Sequence, residues 1–406
     1  MKLDLKNLEK ISESQQRAIY SLEPYAQLVL KIIFHQPGKC NTYCKELSRE
    51  NKISQQFIND ENNFLINLDY KQDVQNGKLL LDLNKQNGIF CQAYANSYSD
   101  LNTDNEDQNT QDCSSGENFQ CFSSNNGSEK QISNKNKSIE EFDVEDKKQI
   151  EINGVHGCCS IMSLAEGGDL VDLANSNNKK FFDLKLIKKI FSQIAQSVKI
   201  MHNKGYTHND IKLDNIFVFY QEKRENQQVI SFKIGDFGFS RKIHKSHGQL
   251  LTACKQYQLF QNRQNDMLAP EIQEFRRNFQ EKHMKKKNQQ KIQQQKNAEP
   301  FDETKGDIFA LGMSIFLAFA KILPFQDPNT SNKLNDPAYK NFMSCDQENF
   351  WSHFPNTANQ IRKNACSLNS IEDLNSFFDL IINMLYPDPK KRYNIDQVLN
   401  HPFFMI

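Results

Sequence analysis

The chain has 406 residues, 38% hydrophobic and 25% charged, which is enough for a sizeable core and excludes a small disulfide-stapled scaffold. Lys and Arg number 50 against 50 Asp and Glu, so no global field favours an anionic membrane or nucleic acid, and binding of either is not expected. A mean hydropathy of -0.71 puts long polar stretches outside the core. The 10 cysteines are scattered without paired CxxC units, and Met1 to Glu13 lacks the apolar run of a secretory signal; both point to reduced thiols in a cytoplasmic or nuclear protein.

In chain order, Leu28 to Phe34 reads as a buried strand and Asn41 to Phe57 as a helix with Leu47, Ile53 and Phe57 inward. From about Asn96 to Gln149 the composition is Asn, Ser, Asp, Glu and Gln with few apolar residues, which predicts a disordered insertion. Asp183 is the expected N-cap of a long amphipathic helix carrying Ile187, Ile190, Phe191, Ile194, Val198 and Met201 and ending before Gly205. Gln273 to Pro300 is a second polar stretch, rich in Lys and Gln, which reads as a solvated loop or frayed helix, with a nuclear-import or phosphate-binding patch as the alternative. Ile308 to Ala320 is apolar but, at 13 residues, too short to span a bilayer, so it is expected to form the buried spine of the domain. Strands come early and helices late. That order predicts an α+β fold in which a small sheet-rich lobe precedes a larger helical one, with a cleft between them.

Two segments carry chemistry. In HNDIKLDN, His208 to Asn215, Asp210 can accept a proton from a hydroxyl, Asn215 can turn an amide oxygen toward a hard cation, and Lys212 supplies charge between them. In KIGDFGFS, Asp236 follows an apolar strand and offers a carboxylate for magnesium, while Gly238 permits a sharp turn.

Together with LAPE (Leu268 to Glu271), GDIFALG (with Asp307 and Gly312) and Arg392 in PDPKKRY, these segments resemble the catalytic, metal-binding and structural motifs of the eukaryotic protein kinase family, serine/threonine type. The resemblance implies a bilobal fold over residues 8–404, with the small lobe at about 8–162 and the large lobe at about 166–404. Setting aside 71–157 and 273–300 leaves about 290 residues, room for one such domain. It further implies that Lys31 and, 19 residues later, Glu50 form the ion pair that holds the ATP phosphates, and that Asp210 and Lys212 serve transfer. Asn215 and Asp236 would hold Mg2+. Ile11, Ser12, Ser14, Ile19, Val29 and Phe217 would enclose the nucleotide, Met162 would be the gatekeeper, Ser163 to Ala165 the adenine-binding backbone, and Asp169 would face the ribose.

Three departures stand out. Where the family carries a GxGxxG loop, this chain places Ser12, Ser14 and Arg17. Asn209 replaces the arginine that often receives an activation-loop phosphate, leaving Arg241 as a substitute and Thr252 as the candidate phosphosite. The segment before LAPE lacks Gly-Thr-Pro. The reading is therefore an ATP- and Mg2+-dependent kinase acting on Ser or Thr of a protein substrate, or a pseudokinase that serves as a nucleotide-binding or interaction scaffold. Asp214 suggests a preference for basic residues before the target. The sequence sets no oligomeric state.

Overall fold

The computed structural model describes residues 2–13, 17–22, 28–34, 42–60, 63–65, 67–82, 90–93, 149–176, 182–223, 227–243, 267–284, 302–325, 335–344, 346–359 and 371–405. Its first part is a sheet with the strand order β2-β3-β4-β7-β5-β6. The strands are β2 (Lys10–Glu13), β3 (Arg17–Ser21), β4 (Leu28–Ile33), β5 (Asn67–Asp82), β6 (Phe90–Ala93) and β7 (Gln149–Ser163), and β1 (Lys2–Asp4) adds to β7 in parallel. One face of this sheet buries Ala18, Tyr20, Leu30, Ile32, Cys159 and Ile161, capped by Leu5 and Leu8 of the N-terminal segment. Pleating sends Ile19, Val29 and Lys31 to the opposite face, which looks toward the cleft.

Helix α1 (Thr42–Ser54) forms where periodicity predicts it, and Leu47, Ile53 and Phe57 are all buried. Its Cys44 and Leu47 pack on Ile33 and Cys158 of the sheet. Gly157 lets the strands approach there: at φ 128 it adopts a backbone that L side chains avoid, and a Cβ would collide with the Ile33 carbonyl oxygen.

The expected span of the first insertion needs correction. Residues 71–82 and 149–157 are long paired strands of β5 and β7, with Leu79 opposite Ile152 and Asp82 opposite Gln149. Gln149 opens β7, and the rest of the predicted insertion, 96–148, lies outside the described residues. The second polar stretch, read as a solvated loop or frayed helix, begins inside a helix. Helix α4 (Pro270–Met284) takes up its first half, with Ile272 and Gln273 buried, while 285–300 lie outside the described residues.

Past the hinge, α2 (Leu170–Ser176) and α3 (Leu184–Asn203) begin the helical lobe. Asp183 caps α3 as predicted, accepting a hydrogen bond from the Leu186 amide. The spine is α5 (Glu303–Ala320), whose run from Ile308 to Ala320 is packed among apolar neighbours, so the continuous hydrophobic run is a buried core helix. No described helix is long and apolar enough to cross a membrane. At the base of the lobe, Arg392 is buried and grips Glu271 in a two-pronged pair at 2.7 and 2.9 Å, with its remaining donors on the carbonyls of Tyr386, Lys305 and Pro387. Every N–H of that guanidinium group faces an acceptor, which is how a buried charge is tolerated.

Candidate active site

The cleft floor is assembled from two turns. β8 (Tyr206–Thr207) runs into the segment His208–Asn215, followed by the hairpin of β9 (Ile216–Lys223) and β10 (Gln227–Ile234). β10 then delivers Asp236 and ends in the short β11 (Arg241–Lys242), which pairs with β8. The first turn is anchored by Asp307 of α5, which accepts from the amides of His208 at 2.9 Å and Asn209 at 2.7 Å and contacts His202 Nε2 at 2.9 Å, and the two turns are joined by His208, whose Nε2 lies 3.1 Å from the Gly235 carbonyl and whose own carbonyl accepts from Ser240 Oγ at 3.1 Å. Burial alone would raise the Asp307 carboxyl, but the His202 contact and the amide bonds outweigh it and hold the group below its ordinary value.

Asn209 has φ 65, a left-handed backbone that asparagine accepts more readily than arginine. Its side chain bonds Thr207 Oγ1 at 2.7 Å. Asn215 donates from Nδ2 to the Asp210 carbonyl at 2.8 Å and to Asp210 Oδ2 at 3.0 Å, so its amide oxygen is left for another partner. Lys212 Nζ lies 3.2 Å from the same carboxylate oxygen.

Asp236 is also left-handed, at φ 60, and is turned back by a bond from the Gly238 amide to Oδ1. Burial would raise its carboxyl. Lys31 and that amide more than offset burial, and the group lies below its ordinary value, as a carboxylate. Lys31 Nζ in turn lies 2.8 Å from Glu50 Oε2, and burial's tendency to lower the ammonium is outweighed by Glu50 and Asp236. The expected pair is therefore formed, with Asp236 electrostatically part of it.

An aromatic stack ties these pieces to one another. Phe237 lies 5.7 Å from the His208 ring and 5.8 Å from Phe57, which is 4.6 Å from Phe64. Arg49, next to Glu50, donates to the Gly238 carbonyl at 2.7 Å. Thus α1 cannot move away from the sheet without disturbing the turn that holds Asp236. The sequence reading missed Arg49 and Phe64; the adjacency of Arg49 to Glu50 was the available signal.

Roof and hinge are arranged differently. Ile11 is 52% exposed, and Ser12 is exposed in extended backbone opposite Ile19. Among the described non-glycine residues only Asn209, Asp236 and Lys321 have positive φ, so Ser12 carries no left-handed strain. Among the described residues the β2–β3 hairpin stays paired as far as Glu13 opposite Ala18. Ser14 lies outside the described residues. Val29 pairs with Met162 and Leu28 with Ser163, which brings the predicted adenine-side residues to the inner edge of the sheet. The Ala165 carbonyl closes a turn by accepting from Gly168, and Gly167 and Gly168 are laced to Val218 of β9. Phe217 lies beside Gly235, where a Cβ would come within 3.0 Å of its ring. Asp169, expected at the ribose, uses Oδ1 to cap α2, accepting from Val171 at 2.8 Å and Asp172 at 2.9 Å.

Arg241 is buried at 3.1 Å from Glu303, which also accepts from Thr207 at 3.2 Å. Burial lowers the guanidinium and Glu303 opposes that shift. Arg241 is therefore already matched by a carboxylate one turn before Asp307, and the sequence reading overlooked that residue. Thr252 lies outside the described residues. A cavity of about 250 Å3 adjoins Asp210 and Lys212, walled by Phe239, Met267, Leu268 and Ile272.

Whether these residues suit a magnesium ion can be judged from the donors present. A buried carboxylate and an amide oxygen are hard ligands, and two protein ligands completed by phosphate oxygens and water are what Mg2+ accepts. Among the described residues no cluster of three or more His, Cys, Asp or Glu could hold a metal by itself, so the set fits an ion that arrives with its nucleotide.

The protein kinase domain family matches residues 153–404, more than half of the chain, and the chain belongs to that family. The match begins inside β7, so Lys31, Glu50 and the roof lie outside it. The chain is 26% identical over 249 residues to ribosomal protein S6 kinase alpha-6 of Mus musculus, covering 60% of this chain and 24% of that protein. It is 25% identical over 244 residues to the serine/threonine-protein kinase cds1 of Schizosaccharomyces pombe, covering 60% of this chain and 41% of the relative. A solved structure of the Rad53 kinase domain and SCD2 aligns at 19% identity with a TM-score of 0.36, over 61% of this chain and 67% of that one. The chain spans about a quarter of the length of the first of these relatives.

Proposed function

We propose that the chain is an ATP- and magnesium-dependent serine/threonine protein kinase that transfers the γ-phosphoryl group to a protein hydroxyl. The observation that carries this reading is the set of contacts joining Asp210, Lys212 and Asn215, facing an Asp236 that is electrostatically coupled to the Lys31–Glu50 pair. Phosphoryl transfer needs positioning and charge more than covalent help, and these residues supply both.

In this reading Asp210 accepts a hydrogen bond from the substrate Ser or Thr hydroxyl and takes its proton as the oxygen attacks the γ-phosphorus. The bond to the β,γ-bridging oxygen breaks and ADP leaves. Lys212 faces the charge that gathers on the transferred group, and Lys31, fixed by Glu50, holds the preceding phosphates. Asn215 and Asp236 would hold Mg2+, which when bound neutralises phosphate oxygens. Lysine at position 212 favours Ser and Thr over Tyr as acceptors. A cytoplasmic or nuclear setting is part of this reading, favoured by cysteines scattered through the sequence without the spacing of a disulfide framework.

The roof without glycine favours a second reading, a nucleotide-binding or interaction scaffold without transfer. A mixed Ser/Thr peptide library with γ-labelled ATP separates the two. Label incorporated by the wild type and lost in Asp210→Asn supports the kinase; ATP binding with no incorporation by the wild type supports the scaffold.

A further inference from the structure

Glu303 and Asp307 stand one helical turn apart on α5, so both side chains leave the same side of the helix, toward the catalytic turns. Asp307 takes the His208 and Asn209 amides. Glu303 reaches a different place. In the short ladder of β8 and β11, Thr207 and Arg241 are direct cross-strand partners, and Glu303 Oε2 meets both of them. The Thr207 hydroxyl donates to it at 3.2 Å, and Arg241 Nε lies 3.1 Å away. Thr207 precedes Asp210 by three residues and Arg241 follows Asp236 by five, so one carboxylate spans the point where the two turns separate.

A ladder this short has too few backbone bonds to hold itself, and its charge needs a partner. Arg241 is buried, and burial and the Arg49 charge both act against its guanidinium group, while Glu303 and Asp307 oppose them. The Glu303 side chain is only 12% exposed and lies in the first turn of α5, where the helix N-terminus favours a carboxylate. The network continues inward. Asn209 Nδ2 donates to Thr207 Oγ1 at 2.7 Å and to the Phe239 carbonyl at 3.5 Å, from one turn to the other. The position next to Asp210 is thus held by a neutral amide, and the cation of this region faces an anion that belongs to the fold.

We propose that Glu303 is a positioning residue for phosphoryl transfer. It closes the base of both catalytic turns with a built-in carboxylate, so that the placement of Asp210 and Asp236 does not require a phosphate added to the chain between β11 and α4. This rests on the kinase reading above.

The test is a labelled-ATP assay on the full chain, with kcat, KM for ATP and the urea midpoint measured for wild type, phosphatase-treated wild type, Glu303→Gln, and Glu303→Gln combined with Arg241→Gln. Phosphatase treatment should change the initial rate of the wild type by less than about twofold. Glu303→Gln should lower kcat by about 10- to 100-fold, the scale of a small misplacement of reacting groups, and leave KM for ATP within about twofold because Lys31 and Glu50 are untouched. The double variant should recover the urea midpoint, since no buried charge is left without its partner, and keep the low kcat, since the clamp is still missing. A wild-type kcat in Glu303→Gln would overturn the proposal. So would a kcat that recovers together with the midpoint in the double variant, because the role would then be structural, or a loss beyond about tenfold on phosphatase treatment. A wild type that incorporates no label before or after treatment would instead sink the kinase reading itself.

Discussion

Asp210, Asn215 and Asp236 on the cleft floor are each held by at least one hydrogen bond at 3.3 Å or shorter, and the Asp307 carboxylate of a buried helix receives the backbone that leads into Asp210. On the roof, by contrast, Ile11 is more than half exposed, Ser12 is exposed, and the positions that the resemblance sets at the family's three glycines carry two serines and an arginine. The floor must position charges to a fraction of an ångström, so each group is fixed from several directions and substitution at any of them is costly. The roof only has to present donors to phosphate oxygens. Backbone amides can do that through glycine.

Four expected effects probe this contrast. The largest effect belongs beneath the floor: Glu271→Ala should leave the buried Arg392 without its carboxylate and cost about 3–5 kcal/mol, read as a lowered urea midpoint. Next, Asp210→Ala and Asp236→Ala should each reduce phosphoryl transfer by at least about 100-fold in a labelled-ATP assay while the fold persists. Wild-type turnover in either would remove that residue from the floor.

A smaller effect concerns pH. His208 is buried, with Nε2 at 3.1 Å from the Gly235 carbonyl and Nδ1 accepting from the Asp210 amide at 3.3 Å, so its neutral form is satisfied on both sides. Burial accordingly lowers the imidazole from its ordinary 6.5, with Asp307 and Asp210 opposing. The unfolded chain then takes up a proton that the folded one resists. Stability contributed by this group is complete above pH 6.5 and is lost as the pH falls below that value. Melting temperatures at pH 7.5 and 5.5 should show the loss, and His208→Gln should flatten it. The smallest effect is on the roof: because Ser12 is extended and unstrained, Ser12→Gly should change ATP affinity by less than about twofold in a binding titration.

How much of this could be read from residues alone follows from the range of the interactions. Helix α3 and its Asp183 cap, the buried run of α5 and the catalytic-loop spacing are local patterns, and each appears where expected. The β5–β7 ladder was not legible, since Asn67–Asp82 is polar, contains Gly77, and pairs through several register shifts with a strand far along the chain. Nor was the Arg241–Glu303 pair, whose partners belong to separate elements and meet only because β11 pairs with β8 beside α5. Nor was the extended backbone of Ser12, which continues a strand at a position the resemblance sets in a glycine loop. The identities of Lys31 and Glu50 were legible, but their coupling to Asp236 depends on the stack of Phe57, Phe64 and Phe237, brought together from three parts of the chain.

The most direct test of a complete floor beneath a rebuilt roof is ATP affinity measured with and without magnesium in the wild type and in Asp236→Asn. The account predicts that magnesium tightens ATP binding to the wild type by about tenfold or more and that the substitution abolishes this tightening while adenosine still binds. Magnesium-independent ATP binding that Asp236→Asn leaves unchanged would contradict it.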